Sequence, residues 1–266
     1  MTAVIDPTTS PVTHDSATVA PISGIPFARL VRVELRKMVD TRAGRWMLIV
    51  MSGISALMVA ALVLWGNSDK VTLGDYVGLT SFPLMVLLPI VGIMAATAEW
   101  SQRTGLVTFT LEPRRARVLL AKILAGVALG LVVVAASFAA GALGHLVATT
   151  VRGAHGDWSM PGQVVLGFVV AMTMFVVQGL AFGFAFLNTP LAIVASILLP
   201  TVWSIVGALP KMRTAATWLD LNRSMEPLMS GSMTASAWAH LGTASVVWIG
   251  IPLAVGGWRV LTREVK

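Results

Sequence analysis

The chain has 266 residues, 56% hydrophobic and only 12% charged, with a mean hydropathy of +0.82. A soluble domain carries about 25% charged residues, so this composition belongs to the membrane class. It has no cysteine, which excludes a disulfide framework, a thiolate metal site and a cysteine nucleophile, and its net charge of +7 leaves nucleic-acid binding open until the charges are placed.

Residues 1–26 are rich in Thr, Ser, Pro and Ala. They have neither the basic start nor the apolar core of a secretory signal peptide, and read as a disordered cytoplasmic tail. Residues 27–45 read as an amphipathic interfacial helix. Phe27, Leu30, Val31, Leu35, Met38 and Val39 recur at helical spacing, Arg29, Arg32 and Arg36 line another side, and Asp40–Gly44 forms the corner after it. Two readings stand for this helix: an anchor that sets topology, and a surface that also touches a cytoplasmic partner.

Residues 46–266 read as an all-α integral membrane domain of six spans, each needing roughly 20 apolar residues. The spans are Trp46–Trp65, Thr80–Ala98, Ile123–Thr149, Gln163–Leu187, Pro190–Leu209 and Trp238–Trp258. The fourth and fifth meet at "LNTP", which leaves room only for a tight turn. Pro83, Pro89, Pro200 and Pro252 fall inside these runs, where neighbouring groups can satisfy the freed carbonyls. Trp46, Trp65, Trp100 and Trp258 mark span ends at the headgroup layer.

With six spans, both termini share a side. That side collects fourteen of the Lys and Arg residues, from Arg29–Arg45, Arg103–Lys122 and Arg259–Lys266, against five on the other. The basic side is expected to be cytoplasmic and the membrane to be the plasma membrane. The charge excess is then a topology signal, and no nucleic-acid partner is needed to explain it.

The six apolar windows contain no charged residue; Glu99 falls just past the second and His145 near the outer end of the third. Ion- or proton-coupled transport normally leaves a series of ionisable groups inside the membrane, and none is present. No H-E-x-x-H, G-x-S-x-G or G-x-x-x-x-G-K-[ST] motif occurs, so no catalytic residue, metal ligand or ATP site is assigned and the chain is not read as an enzyme. Gly126/Gly130 and Gly179/Gly183 form G-x-x-x-G pairs, open either to packing within the chain or to a dimer seam. Ser52 and Ser55 on the first span, and Thr201 and Ser204 on the fifth, are spaced to share helix faces and are candidates for a substrate path. The alternative, that these hydroxyls bond their own helix backbone, is the more ordinary use of such residues.

The loop "AEWSQRTGLVTFTLEPRRARVLLAK", Ala98–Lys122, carries the densest pattern. Glu99 opens it, Gly105 bends it, Leu106, Val107, Phe109 and Leu111 form an apolar patch, Pro113 ends the patch, and Arg114, Arg115 and Arg117 follow. This suits either a short helix that docks into a groove on a soluble protein or an interfacial loop with topology charges. The loop resembles the region between the second and third spans of type 2 ATP-binding-cassette exporter permeases. Their acidic residue, Gly-Thr step, apolar run, Pro-Arg turn and lysine entering the next span correspond to Glu99, Gly105, Leu106–Leu111, Pro113–Arg114 with Arg117, and Lys122. Here the Thr104-Gly105 order is reversed and Glu112 precedes the proline. "VRVELRKMVDTRAGRW", with Glu34 between Arg32 and Arg36, is similar to that family's helix before the first span. "WLDLNRSMEPLMSG" (Trp218–Gly231) is similar to its outer segment between the fifth and sixth spans.

The resemblance implies a half-transporter that binds no cofactor itself. Two permease chains, identical or different, would form the core, and separate ATPase subunits using ATP and Mg2+ would dock on the Ala98–Lys122 loop. The uncharged route fits a hydrophobic or amphiphilic cargo such as a drug, lipid or peptide. The alternative is a channel or a non-ATPase membrane scaffold subunit.

Overall fold

In the computed structural model the described residues are 25–66, 70–153 and 157–263; they form helices and no strand. Except for Ile25 and Pro26, the expected N-terminal tail lies outside the described residues. Helix α1 (Phe27–Asp40) precedes α2 (Arg42–Trp65), α3 (Leu73–Ser101), the short α4 (Gly105–Leu111), α5 (Arg115–Arg152), α6 (Gly162–Phe186) and α7 (Thr189–Gly207). Two short helices, α8 (Arg213–Leu219) and α9 (Leu221–Ser230), lead into α10 (Ala235–Ser245) and α11 (Ile251–Thr262). Among the described residues, six helical segments are long and apolar enough to cross a membrane: α2, α3, α5, α6, α7 and the joined α10–α11.

Helix ends differ from the apolar windows. α3 starts at Leu73 and α5 at Arg115, because polar turns continue the backbone hydrogen bonding past the greasy stretch. Local chemistry explains where they stop. Thr72 and Asp75 form a reciprocal capping box at the start of α3. The Asn188 side chain accepts from the Leu191 amide at 3.0 Å to start α7, and Leu187 turns left-handed before it (φ 52°), so "LNTP" is the tight turn expected. The corner after α1 is narrower than expected. Thr41 alone separates the helices and caps α2 through the Gly44 amide, and a Cβ on Gly44 would lie 1.9 Å from the Met38 carbonyl oxygen.

α6 is the centre of the bundle, packed by α3, α5, α7, α9 and α11. Small residues bring the backbones together: a Cβ on Gly179 would lie 2.0 Å from the Pro89 carbonyl oxygen, and one on Gly92 2.6 Å from that of Val176. Gly126 and Gly130 face Val176 and Leu180 of α6, and Gly183 faces Ala96 and Ile93 of α3. Both G-x-x-x-G pairs therefore serve contacts within the chain. α2 is the least covered of the long helices, with 11% of its apolar window buried, followed by α7 and the joined α10–α11 at 17% each.

Two features were not expected. The last span is interrupted by a π-turn at Val246–Gly250, just before Pro252, where the helix is locally widened. Trp218–Gly231, expected as an outer loop, folds as α8 and α9 back against the bundle. Asp220 caps α9, its carboxylate accepts from Ser204 of α7 at 2.8 Å, and the Trp248 indole donates to the Leu219 carbonyl at 2.6 Å. α9 buries Leu221, Met225 and Leu228, with Leu228 against Gly167 of α6.

Candidate functional site

One end of the bundle gathers α1, α4, the starts of α2, α5 and α7, and the C-terminal turn of α11. α4 is held there by one face. Behind it, the Phe109 ring packs against Trp100 of α3 (centroids 6.2 Å apart), with the Arg115 guanidinium 4.9 Å from the Phe109 ring centre. In front, Leu106, Val107 and Leu111 are 64%, 62% and 68% exposed. So α4 has an inward aromatic face and an outward aliphatic one.

The turn after α4 is an ion-pair latch. Buried Glu112 accepts from Arg114 Nε at 2.9 Å and from Arg117 at 2.7 Å, and Arg117 also donates to the Ile25 carbonyl at 2.9 Å. The hydrogen bond from Arg114 holds the Glu112 carboxyl below the ordinary glutamate range, with Arg117 adding to it. The latch therefore stays charged at mildly acidic pH and opens only below the usual carboxylate range. Arg115 donates to the carbonyls of Val260 at 3.0 Å and Arg263 at 2.6 Å, tying the start of α5 to the end of α11. Arg259 likewise donates to the Ala185 carbonyl at the end of α6. These arginines satisfy helix-terminal carbonyls.

Beneath α4 sits a buried charge cluster joining α1, α3 and α5. Lys122 Nζ lies 2.6 Å from Glu34 Oε2, 2.8 Å from Glu99 Oε1 and 3.0 Å from the Ala95 carbonyl oxygen. Lys37 reaches Glu34 Oε1 at 2.7 Å and Glu99 Oε1 at 3.3 Å. Burial pulls the Lys37 ammonium down, but Glu34 and Glu99 together hold it above the ordinary lysine range. The four charges cancel, which is how an apolar bundle accommodates them.

No family model matches the chain, and no curated protein matches it in sequence.

The expected site residues fall into three environments. Pro113 and Arg114 are exposed, as are Arg32 and Arg36 on the outer side of α1. Gly105 is buried at the first position of α4, and Phe109 and Arg117 are partly covered. Glu34 and Glu99 are almost fully buried, at 1% and 2% exposure. Glu99 was expected to open a loop; it lies instead inside α3, committed to Lys122 and Lys37. The apolar windows themselves stay free of charge, but the helices run past them: α3 carries Glu99 and α5 carries Lys122, each one residue outside its window and 2.8 Å from the other. Phe109 was expected as the outward anchor, but its ring is turned toward Trp100, and the outward positions are Leu106, Val107 and Leu111.

The expected substrate-path hydroxyls go to different partners. Ser55 donates to the Thr80 carbonyl at 3.1 Å, joining α2 to α3, while Ser52 is exposed. Thr201 donates to the Ile197 carbonyl of its own helix, and Ser204 to Asp220. Thr201 also lines a cavity of about 160 Å³ beside Pro89, Gln178, Pro200 and Asn222. His145 is fully buried between Tyr76 and Trp158, with ring centroids 5.6 and 4.4 Å away, as a packed residue rather than a member of a relay. Among the described residues no three His, Asp or Glu side chains gather in a metal-binding arrangement.

Sequence reasoning missed Lys37 and Lys122 as cluster members and Arg115 as a helix cap. The signal available was the i, i+3 pair Glu34/Lys37 facing the apolar side of α1.

Proposed function

We propose that the chain is the membrane permease subunit of an ATP-binding-cassette exporter, moving a hydrophobic or amphiphilic cargo across the plasma membrane. Separate ATPase subunits supply the energy. The observation that carries this reading is α4: a short helix whose aliphatic face is open to solvent while its other face and its latch fix it to α3 and α5. A partner that grips Leu106, Val107 and Leu111 would move α3 and α5 with them. The residue-level resemblance of Ala98–Lys122 to the coupling region of such permeases points the same way.

In this reading α1 is an amphipathic helix in the inner interface, with Arg29, Arg32 and Arg36 toward the headgroups and the cytoplasm. Both termini are cytoplasmic. The open faces of α2 and α7 are available to a second permease chain or to lipid.

Purified free of other chains, the protein is expected to hydrolyse no ATP. Reconstituted with its ATPase subunits, it is expected to support hydrolysis that rises with an amphiphilic cargo. Sustained hydrolysis by the isolated chain, or a complex whose hydrolysis ignores a broad amphiphile panel, counts against the proposal.

Orientation is checked separately. The chain has no native cysteine, so single cysteines are introduced at exposed Arg32, Gln102, Lys70 and Lys211. An impermeant thiol reagent on intact cells is expected to label positions 70 and 211 only. Labelling at 32 or 102 reverses the topology.

A further inference from the structure

The cavity of about 160 Å³ that Thr201 lines lies between α3, α6, α7 and the start of α9, and its lining residues include no charged side chain. Gln178 of α6, on its wall, is 6% exposed, and its side-chain amide makes no hydrogen bond among the described residues. The unpartnered side-chain atoms sealed from any surface belong to Glu99, His145 and Trp203, not to Gln178. Its amide is therefore buried yet open to the cavity. A helical proline has no N–H for the carbonyl four residues before it. Pro89 leaves Met85, and Pro200 leaves Ser196, with a carbonyl that lacks its ladder donor, and both residues line the cavity. The Ser196 and Thr201 hydroxyls donate to the Ile193 and Ile197 carbonyls of their own helix, at 2.9 and 2.6 Å, so only acceptor lone pairs remain on their oxygens. Acceptors thus outnumber donors, which are the amide N–H groups of Gln178 and, at the exposed end, of Asn222. Pro89, Gln178 and Pro200 sit well inside helices long enough to cross a bilayer, where hydrocarbon offers no hydrogen-bond partner.

We propose that this cavity binds the neutral carboxamide of an amphiphilic molecule, its N–H groups donating to the acceptors of α3 and α7 and its carbonyl accepting from Gln178. An ammonium or a carboxylate would enter with no countercharge to meet it. An ester or ether accepts but does not donate, so it leaves the surplus acceptors as they are. An alcohol brings one donor proton, and a primary carboxamide brings two. A single water, at about 30 Å³, would leave most of the volume empty. Val86, Phe175 and Ile197 supply apolar surface for the rest of the molecule. That the bound amide is cargo rests on the export reading; that the cavity binds it rests on the lining residues alone.

The full chain, purified in detergent, is titrated with decanamide and with methyl decanoate, which share a chain length, and binding is measured by equilibrium dialysis at fixed detergent. Decanamide is expected to bind about tenfold or more tightly, the worth of roughly one hydrogen bond. Gln178→Leu keeps most of the volume, removes the amide and is expected to erase the difference. Thr201→Val, at an exposed position, removes one acceptor and is expected to narrow it, while Thr243→Val, outside the cavity, leaves it unchanged. Thermal unfolding of each variant shows that it is folded; if Gln178→Leu does not fold, Thr201→Val takes its place. Equal binding of the two compounds by the native chain overturns the proposal, as does a preference untouched by the folded cavity variants. The mass of the purified particle is measured alongside. A dimer that Gln178→Leu dissociates, with no amide preference in the native chain, assigns the cavity to contact with a second copy and overturns the ligand. Hydrolysis by the complex with ATPase subunits tells the two readings apart. Decanamide that binds the chain without raising hydrolysis leaves the site standing and counts against its cargo role. Hydrolysis raised by other amphiphiles, while decanamide fails to bind, removes the site and leaves export standing.

Discussion

Lys122→Met is expected to be among the most destabilising single changes in the chain. Lys122 is 2% exposed and is the nearest cation to both Glu34 and Glu99. Without it two buried carboxylates face one lysine that is already partly drawn to solvent. Removing one member of a buried ion pair costs about 3–5 kcal/mol, because the charge left behind keeps its desolvation penalty. The consequence is mechanical as well as energetic, since the cluster is where α1 meets α3 and α5. Lower expression and a lower unfolding temperature in detergent are expected. Glu34→Gln alone should cost less, because Lys122 keeps Glu99 and the Ala95 carbonyl. The double variant Glu34→Gln/Lys122→Met should recover part of the loss, since it leaves Glu99 and Lys37 as a balanced pair. A Lys122→Met protein that unfolds like the parent would show that the cluster is not held together by its charges.

The long helices were legible because hydropathy over a span is a local property, written into each window from Trp46 to Trp258. Their ends were less so: α5 begins at Arg115 and not Ile123, since arginines that cap other helices read in one dimension as loop charge. The pairing of Lys122 with Glu34 was out of reach, because the two are far apart in the chain and meet only once α1 docks on α5. The same holds for Asp220, which looks like an outer-loop acid until Ser204 and Trp248 draw its turn against α7 and the last span. The π-turn at Val246–Gly250 precedes Pro252, which lacks the N–H to continue the helical ladder, but a proline inside a span does not by itself say which turn will widen. In the candidate site, the apolar run Leu106–Leu111 was visible, but not which residues faced out. On a single seven-residue helix, Phe109 and Leu106 lie close enough in angle that only the position of Trp100 decides.

That decision sets up opposite outcomes for neighbouring residues of α4. Phe109→Ala is expected to act on the chain itself, removing the contact with Trp100 and the seat for Arg115. The ring is only partly covered, so the cost should sit at or below the low end of the roughly 3–5 kcal/mol typical of fully buried Phe→Ala changes. Leu106→Glu and Val107→Glu replace side chains that are more than half exposed. Their unfolding temperature should match the parent, because exposed positions away from caps and networks shift stability by about 0.5 kcal/mol or less. If the chain is the proposed permease, their effect should fall on the ATPase partner instead. Interface energy concentrates in a few apolar anchors that fill a pocket, and placing a carboxylate in such a pocket adds an unpaired charge to the lost contact. Leu106→Glu/Val107→Glu should therefore abolish retention of the ATPase subunits through purification, and with it cargo-dependent hydrolysis. The mixed control is Arg32→Ala on α1, where a rim charge should alter the salt dependence of partner binding more than its strength. If the double glutamate variant keeps its partner while Phe109→Ala loses it from a normally stable chain, the inward face of α4 is the docking face and the geometry described for Trp100 and Phe109 must rearrange on binding. If both variants keep the partner, α4 is a connector, and the coupling role proposed for it fails.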